Sequence, residues 1–513
     1  MKKIILFLSL VTGSKIFAQV PEDALRYSFF PQNGTARNQA IGGVMGSLGG
    51  DLTAAFVNPA GLGFYKTGEF VLTPGFYFNN NKASYRETDT KSNKNSMGFG
   101  ASGLVLGMPN RYNKNSSAFS LAINQTASFN NNIHYSGLNN YSSFSEQFAE
   151  EFAKSGKSID EVLNTNSIFP YTSAPALYTY LIDTVKVNGV YQVKGAPEFI
   201  LDAGQALRQE MNKTTTGGIT EFALAFAHNH EDRFFIGGTI GIPYTNYKSE
   251  MTFRENDTSS NASNHFKSFE YKDNFTSTGW GINLKLGLIY RPKEYIRLGF
   301  AVHSPTFSSL TDKRTTNLST QLENPIGSFS VSSLTFTNNT VGESKYNING
   351  AWKIIGSASY VFRELENVKK QRAFISADLE YVTHGASKFS SNNEQPTQTE
   401  KNYYTELNNV IKNEYKASLN ARIGGELKFN TIMGRIGFAY YGNPYKNGPV
   451  KASRMLLSGG LGYRNKGVFF DLTYVHHISK DADFAYRLED RANTYATLKQ
   501  TRGNIVATLG FKF

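Results

Sequence analysis

The chain has 513 residues, of which 18% are charged and 14% aromatic, with no cysteine and a formal charge of +12. Without cysteine there is no disulfide framework, thiol nucleophile or thiolate metal site. The positive excess is scattered, with no arginine-rich helix or dense basic block, which argues against nucleic acid as a partner.

Met1 to about Gln19 reads as a signal peptide: Lys2-Lys3 form the positive end and Ile4–Val11 the apolar region, with cleavage near Ala18-Gln19. No other apolar run approaches the roughly 18 residues of a spanning helix. The next segment, about residues 20–65, is rich in glycine (Gly34, Gly42, Gly43, Gly46, Gly49, Gly50, Gly61, Gly63) and in small residues (Ala36, Ala40, Ala54, Ala55). Glycine allows positive φ and close backbone approach, and so little side-chain bulk needs an enclosing structure. Asp51 follows Gly49-Gly50, a place for a turn or helix cap. In Asn58-Pro59-Ala60-Gly61, the proline biases Asn58 toward an extended backbone, and Asn58 can bond nearby backbone as a turn residue.

The GTARNQAIGGVMGSLGGD run and the Asn58-Pro59-Ala60-Gly61 tetrapeptide together resemble the N-terminal plug of the FadL-type family, outer-membrane channels for long-chain fatty acids and other hydrophobic compounds. The resemblance implies a plug (20–65) inside a transmembrane antiparallel β-barrel of fourteen strands (66–513). It also gives Asn58, Pro59 and Ala60, with Gly61, Gly49, Gly50 and Asp51 around them, a role beside a lateral opening at a kinked third strand. Lateral release would preserve the roughly 0.8 kcal/mol per CH₂ that a hydrophobe gains on leaving water. Ser117–Phe129, the third strand, holds neither Gly nor Pro; Asn124-Gln125-Thr126 is where the kink is expected.

The body reads as short stretches of period two, the signature of strands with one apolar face. Examples are Phe119, Leu121, Ile123; Phe222, Leu224, Phe226; Trp280, Ile282, Leu284, Leu286, Leu288, Tyr290; and Ile375, Ala377, Leu379, Tyr381. A mean hydropathy of −0.37 fits strands with one face on lipid and one on water. Strand starts are expected near 68, 97, 117, 219, 233, 264, 295, 350, 372, 414, 432, 454, 467 and 501. The last alternates Ile505, Ala507, Leu509, Phe511, Phe513; it resembles the assembly signal of bacterial outer-membrane barrels, which makes the barrel-assembly machinery a partner through Phe513. Tight turns at 465–467 and 429–433 contrast with long connections at 130–218, 306–349, 385–412 and 480–501.

The 130–218 excursion carries two helix signals. Ser143 or Ser145 can cap a helix bearing Phe144, Phe148 and Phe152 before Gly156, and another is expected from Ala196-Pro197 with Phe199, Ala203, Leu207 and Met211 on one stripe. Phe144, Phe148, Phe152, Phe199 and Leu207 are candidate ligand-contacting residues, because family loops form a hydrophobic groove where ligand lands; the alternative is that the helices pack on each other and cap the barrel.

His228 and His230 share a strand face, but no carboxylate spacing supports a metal, and no serine, histidine and polar group cluster as in hydrolases. The expected protein is therefore a non-enzymatic, cofactor-free, monomeric outer-membrane channel for passive uptake of hydrophobic small molecules such as long-chain fatty acids, exported by its signal peptide and bathed in outer-membrane lipid. Loops would capture the ligand, and a plug shift would release it laterally. The alternative is a FadL-related cargo-binding or shuttle protein of a type IX secretion system. Haem, fatty acid and hydrocarbon all remain open as ligands.

Overall fold

The computed structural model describes residues 21–513 other than 188, 260, 324 and 363–371; the leader expected at 1–19 lies outside the described residues. The alternating stretches form fourteen antiparallel strands, several interrupted by a short irregularity. The first five are β1 (Glu69–Leu72 and Pro74–Tyr85), β2 (Thr88–Phe99 and Ser102–Pro109), β3 (Ser116–Ser128 and Asn131–Asn139), β4 (Leu207–His230) and β5 (Phe234–Asp257). They are followed by β6 (Ser268–Lys293), β7 (Ile296–His303 and Phe307–Leu322), β8 (Gly342–Asn349 and Lys353–Phe362), β9 (Ala373–Val382 and Lys388–Ser391) and β10 (Ser418–Phe429). The circuit ends with β11 (Ile432–Tyr441), β12 (Arg454–Asn465), β13 (Val468–Asp483) and β14 (Ala496–Lys512). Each pairs with its sequence neighbours, and β14 returns to β1 from Glu69↔Lys512 to Ser84↔Thr497, which closes the cylinder.

Outward side chains are apolar. On β6, Trp280, Ile282, Leu284, Leu286 and Leu288 are all exposed, and Tyr290 lies at the end of the run. Their aromatic ends pack on neighbours, Trp280 at 4.7 Å from Tyr244 and Tyr290 stacked at 4.7 Å on Phe234. Ten residues of tilted strand make a band about 25 Å tall, the height of an outer-membrane barrel's hydrocarbon belt. Inward side chains are polar and buried, among them Ser120, Asn124, Glu221, Asn283, Asp378, Arg422, Arg435, Asp471 and Thr508.

Turns at one rim are short. Lys466-Gly467 and Glu231-Asp232 have positive φ at both positions, as two-residue hairpins with strand-matched twist require. The opposite rim carries the long connections. Four strands begin earlier than their patterns suggest: β2 at Thr88 rather than near 97, β4 at Leu207 rather than 219, β8 at Gly342 rather than 350, and β14 at Ala496 rather than 501. These extensions lie on the loop-rim side, outside the stretches of clear alternation. In Thr88–Ser96, seven of nine residues are Thr, Ser, Asn or Asp and two are Lys, so no period shows.

The loop rim is roofed by helix Glu146–Ser155, which ends at left-handed Gly156 (φ +64°), and by helix Ala196–Asp202. The second helix is shorter than its stripe suggests. Ala203 caps it, and Leu207 and Met211 belong to β4, where they point inward onto the same apolar cluster. A further helix, Gln398–Glu414, packs on the Lys388–Ser391 end of β9; its signal is the capping box Thr397–Glu400 followed by buried Tyr404, Leu407 and Ile411.

The inner wall is cross-linked by charge. The Arg435 guanidinium is fully buried and donates to Glu426 on β10 (2.6 Å) and Asp471 on β13 (2.5 Å). Removing Arg435 leaves these buried carboxylates with only longer contacts, Glu426 to Arg37 (3.4 Å) and Asp471 to Arg464 (3.9 Å). Arg435→Met is therefore expected to lower the unfolding free energy by about 3–5 kcal/mol, measured by denaturant titration of the detergent-solubilised barrel.

Candidate functional site

Residues 21–65 run inside the cylinder and bond to strands on many sides. Ala36 N–H donates to Thr508 Oγ1 (2.7 Å), Thr473 Oγ1 to the Ala36 carbonyl (2.6 Å) and Ser458 Oγ to the Ala40 carbonyl (3.0 Å). The Met45 and Gly46 amides donate to Asp378 Oδ2 (2.9 and 3.1 Å), Ser47 Oγ lies 2.9 Å from Ser359 Oγ, and Thr239 Oγ1 donates to the Ala55 carbonyl (2.9 Å). A small-residue segment can satisfy its irregular backbone only against a polar wall, and the inward side chains supply it.

The seven residues singled out in the plug come together. The Gly50 amide donates to the Gly61 carbonyl (3.3 Å), so the double glycine and the tetrapeptide form one bracket. A Cβ on Gly61 would lie 2.7 Å from the Leu48 carbonyl and 2.9 Å from the Ala54 Cβ. Asp51 makes a turn rather than a side-chain cap: it accepts from Thr53 N–H (2.9 Å) and Thr35 Oγ1 (2.8 Å), while Thr53 stands at the helix N-cap. Asn58 is extended, as the following proline demands, and clamps plug to wall. Its Oδ1 accepts from Ala60 N–H (3.1 Å), and its Nδ2 donates to the carbonyls of Gly46 (2.5 Å) and of Leu288 on β6 (3.2 Å). A wall glycine admits it, since a Cβ on Gly287 would stand 1.8 Å from Asn58 Oδ1.

The wall is not continuous between β2 and β3. Their ladder runs from Ser102↔Ile123 to Pro109↔Ser116 and stops. Beyond it, among the described residues, Thr88–Phe99 pairs only with β1 and Asn131–Asn139 only with β4. The register of β3 against β4 also slips between Gln125 and Ala127, which places the kink at the expected Asn124–Thr126. The upper half of β3 leans inward, where Asn79 and Asn81 of β1 both donate to Asn131 Oδ1 (2.7 Å each).

Asn33 of the plug closes the break from inside. Its Nδ2 donates to the Phe99 carbonyl on β2 (3.0 Å) and the Gln125 carbonyl on β3 (2.7 Å), and Asn124 Nδ2 donates to the Asn33 carbonyl (3.1 Å). The plug backbone reaches the break because a Cβ on Gly100 would stand 2.0 Å from the Gly34 carbonyl. Sequence reasoning missed Asn33; the only mark is an Asn-Gly pair ahead of the glycine run. A cavity of about 400 Å³ lies between the plug and the loop rim, lined by Phe29, Asn33, Gln125, Phe129, Arg454 and Arg502 among others, so it reaches the inner face of the break.

Above the cavity, Phe144, Phe148, Phe152 and Leu207 are buried in one cluster. The Phe144 ring stacks on Phe253 (4.5 Å) and meets Phe148 edge-on (5.4 Å). A ligand reaching these rings has to displace neighbours, whereas Phe199 is 43% exposed.

With this geometry in hand, comparison with solved structures is informative. The chain superposes on a Pseudomonas aeruginosa FadL homologue with a TM-score of 0.53 at 12% identity, covering 95% of this chain and 100% of that one. It superposes on the P. putida toluene transporter TodX with a TM-score of 0.51 at 12% identity, covering 94% and 99%. The chain has the FadL-type fold. No protein-family model matches the sequence, and no curated protein is significantly similar to it. The FadL-type architecture therefore persists here where sequence likeness has nearly vanished.

Two outcomes follow for this FadL-type barrel. Asn33→Ala removes both bonds across the break, each worth about 1 kcal/mol; amide hydrogen exchange should rise at 98–101 and 125–127 and stay unchanged at the β10–β11 hairpin. The roof should also loosen as pH rises. Burial, opposed by the Gly195 amide bond and reinforced by Glu146, pushes the Glu198 carboxyl up to about 7. Its pKa is higher folded than unfolded, so its contribution is full below about pH 4.5 and lost as pH climbs through 7. Burial raises Glu146 and Glu151 with the same sign. Protease cleavage within 140–206 should be faster at pH 8 than at pH 5, and Glu198→Gln should narrow that difference.

Proposed function

We propose that this barrel is an outer-membrane channel for the passive uptake of hydrophobic small molecules such as long-chain fatty acids. The long-loop rim faces the outside of the cell. Ligand meets the loop roof, enters the luminal cavity and leaves sideways through the β2–β3 break once the plug has moved. The observation that carries this reading is the plug-stitched break: a wall whose ladder stops at mid-height, opposite an asparagine that belongs to the plug. Sideways release keeps the ligand out of water, whereas passage down a wet pore forfeits about 0.8 kcal/mol for each CH₂. TodX is a toluene transporter by its own description, and the shared fold is consistent with a hydrophobic cargo here. Asn58, Pro59 and the glycine bracket act as the clamp that a moving plug must release, and the roof residues Phe144, Phe148, Phe152 and Leu207 take part only if the cluster opens.

A cargo-binding role in a type IX secretion system has one observation in its favour: Tyr178, Tyr180, Tyr191 and Phe199 stand 43–71% exposed on the roof. The two readings separate in one assay. The chain has no cysteine, so Ser47→Cys with Ser359→Cys creates a single possible disulfide between plug and wall. Oxidised cells should lose uptake of a radiolabelled fatty acid or aromatic hydrocarbon and regain it on reduction. Full uptake with the bond formed overturns the plug shift, and absence of uptake by the wild-type protein favours the cargo role.

A further inference from the structure

Four lysines face one another across four neighbouring strands of the wall. Lys480 on β13 stands opposite Lys499 on β14, Lys499 opposite Lys82 on β1, and Lys82 opposite Lys91 on β2. All four belong to the outward face. Their strand neighbours Ser479, Leu498, Asn81 and Ala83 are buried, and Thr90 and Ser92 donate to the carbonyls of His134 and Asn132 behind them. Lys480, Lys499 and Lys91 are exposed and Lys82 is half-buried. Directly opposed side chains on antiparallel strands have Cβ atoms about 5 Å apart, and like charges in that arrangement repel. The row spans three strand spacings, about 14 Å.

One carboxylate answers these charges. Asp89 pairs with Lys82 (2.6 Å) and lies near Lys499, whereas among the described residues Lys480, Lys499 and Lys91 make no ion pair. Two acids on β13 face the other way: Asp481 lines the lumen, and Asp483 accepts from Tyr135 Oη and pairs with Lys213 (3.6 Å). The opposite side of the barrel is built differently. There the outward charges of β5–β8 alternate in sign and pair, Lys248 with Glu250 (2.5 Å), Arg254 and Lys272 with Glu270 (2.5 and 2.7 Å), and Lys313 and Lys345 with Glu343 (3.6 and 3.2 Å). The lysine row also has a defined height. Ile478 and Phe78 face outward two residues before Lys480 and four before Lys82, and Phe76 meets Phe78 edge-on (4.8 Å). The lysines follow the apolar belt on the long-loop side, at the level of lipid headgroups.

We propose that this row is a docking site for an anionic, phosphate-bearing lipid of the outer leaflet. Its phosphates lie along Lys480, Lys499, Lys82 and Lys91, and its acyl chains lie over Ile478, Phe78 and Phe76. Four or more basic residues clustered beside a membrane bind anionic headgroups. A phosphate bridging two lysines turns a repulsive pair into two charge-assisted hydrogen bonds. The lysine stems can cover apolar surface while their ammonium groups stay among the headgroups. The site is on the outer surface, away from the lumen, and does not depend on what the channel carries. The row ends at β2, whose upper half has no ladder to β3, so the bound lipid stands beside the free edge of the wall.

The test uses diphosphoryl lipid A and phosphatidylcholine as probes. The full-length barrel is mixed with each in a nonionic detergent, and retained lipid is measured by native mass spectrometry. Wild type should retain lipid A at least fivefold more than phosphatidylcholine, a comparison that needs no variant to fold. Lys82→Gln with Lys499→Gln should lower lipid A retention at least fivefold and leave phosphatidylcholine unchanged. Lys248→Gln with Lys313→Gln, on the opposite side, should change neither. Thermal unfolding reads the same charges. Without lipid, the Lys82→Gln, Lys499→Gln double variant should melt no lower than wild type, and lipid A should raise the Tm of wild type more than that of the variant. Equal retention of the two lipids by wild type, unchanged retention in the double variant, an equal loss in the opposite-side variant, or full displacement of lipid A by millimolar inorganic phosphate overturns the lipid site.

Discussion

Lipid provides no hydrogen-bond partners, so a wall of strands has to satisfy its own backbone all the way round. That constraint explains the closure of β14 onto β1 and gives the one irregular place its meaning. Where β2 and β3 part, the β2–β3 ladder no longer joins Phe99 and Gln125, and their carbonyls accept instead from a plug side chain, Asn33. The wall is complete only with its plug in place. The Asn33 amide thus belongs to the plug and completes the wall at the same time.

The polar inner face serves the plug in the same way. Asp378 holds the Met45 and Gly46 amides, Thr473 and Thr508 hold Ala36, and Asn58 reaches wall carbonyls. Each is a single hydrogen bond, and they act beside a hydrophobic cluster in which Ile41, Met45, Leu52 and Phe56 of the plug pack with wall residues. Wall glycines set how close the segment can come: Gly437 stands against the Gly42 amide and Gly299 against the Gly46 carbonyl, positions where a Cβ would fall at 2.0 and 1.9 Å. At these two places the contact is backbone on backbone.

The legible parts of the sequence were those in which one physical force acts at a fixed period. The lipid-facing run Trp280–Tyr290 and the closing run Ile505–Phe511 alternate because hydrocarbon meets every second residue, and both lie in the strands expected of them. The Gly-rich segment was legible because nothing but enclosure stabilises such a composition. Above the hydrocarbon belt the period fades: Thr88–Ser96 is strand without an apolar face, and Leu207 and Met211 imitate a helix stripe while sitting on β4. The break was half legible. Its place at Gln125–Thr126 could be expected from the resemblance, but Asn33 could not, since its partners lie 66 and 92 residues away and no local pattern records them.

The charged residues inside the barrel divide by the kind of partner they have. Arg422 pairs with Glu380 and Arg435 with Glu426 and Asp471, so these charges tie β9 to β10, β10 to β11, and β11 to β13 across β12. Arg454 and Arg502 instead donate to carbonyls, one on the plug and one at the strand interruption, Arg454 also lying over the Phe29 ring, and both face the cavity. The plug and the interrupted strand are therefore held at this end of the lumen by single hydrogen bonds from two different wall strands, in contrast to the ion pairs that fasten the wall to itself.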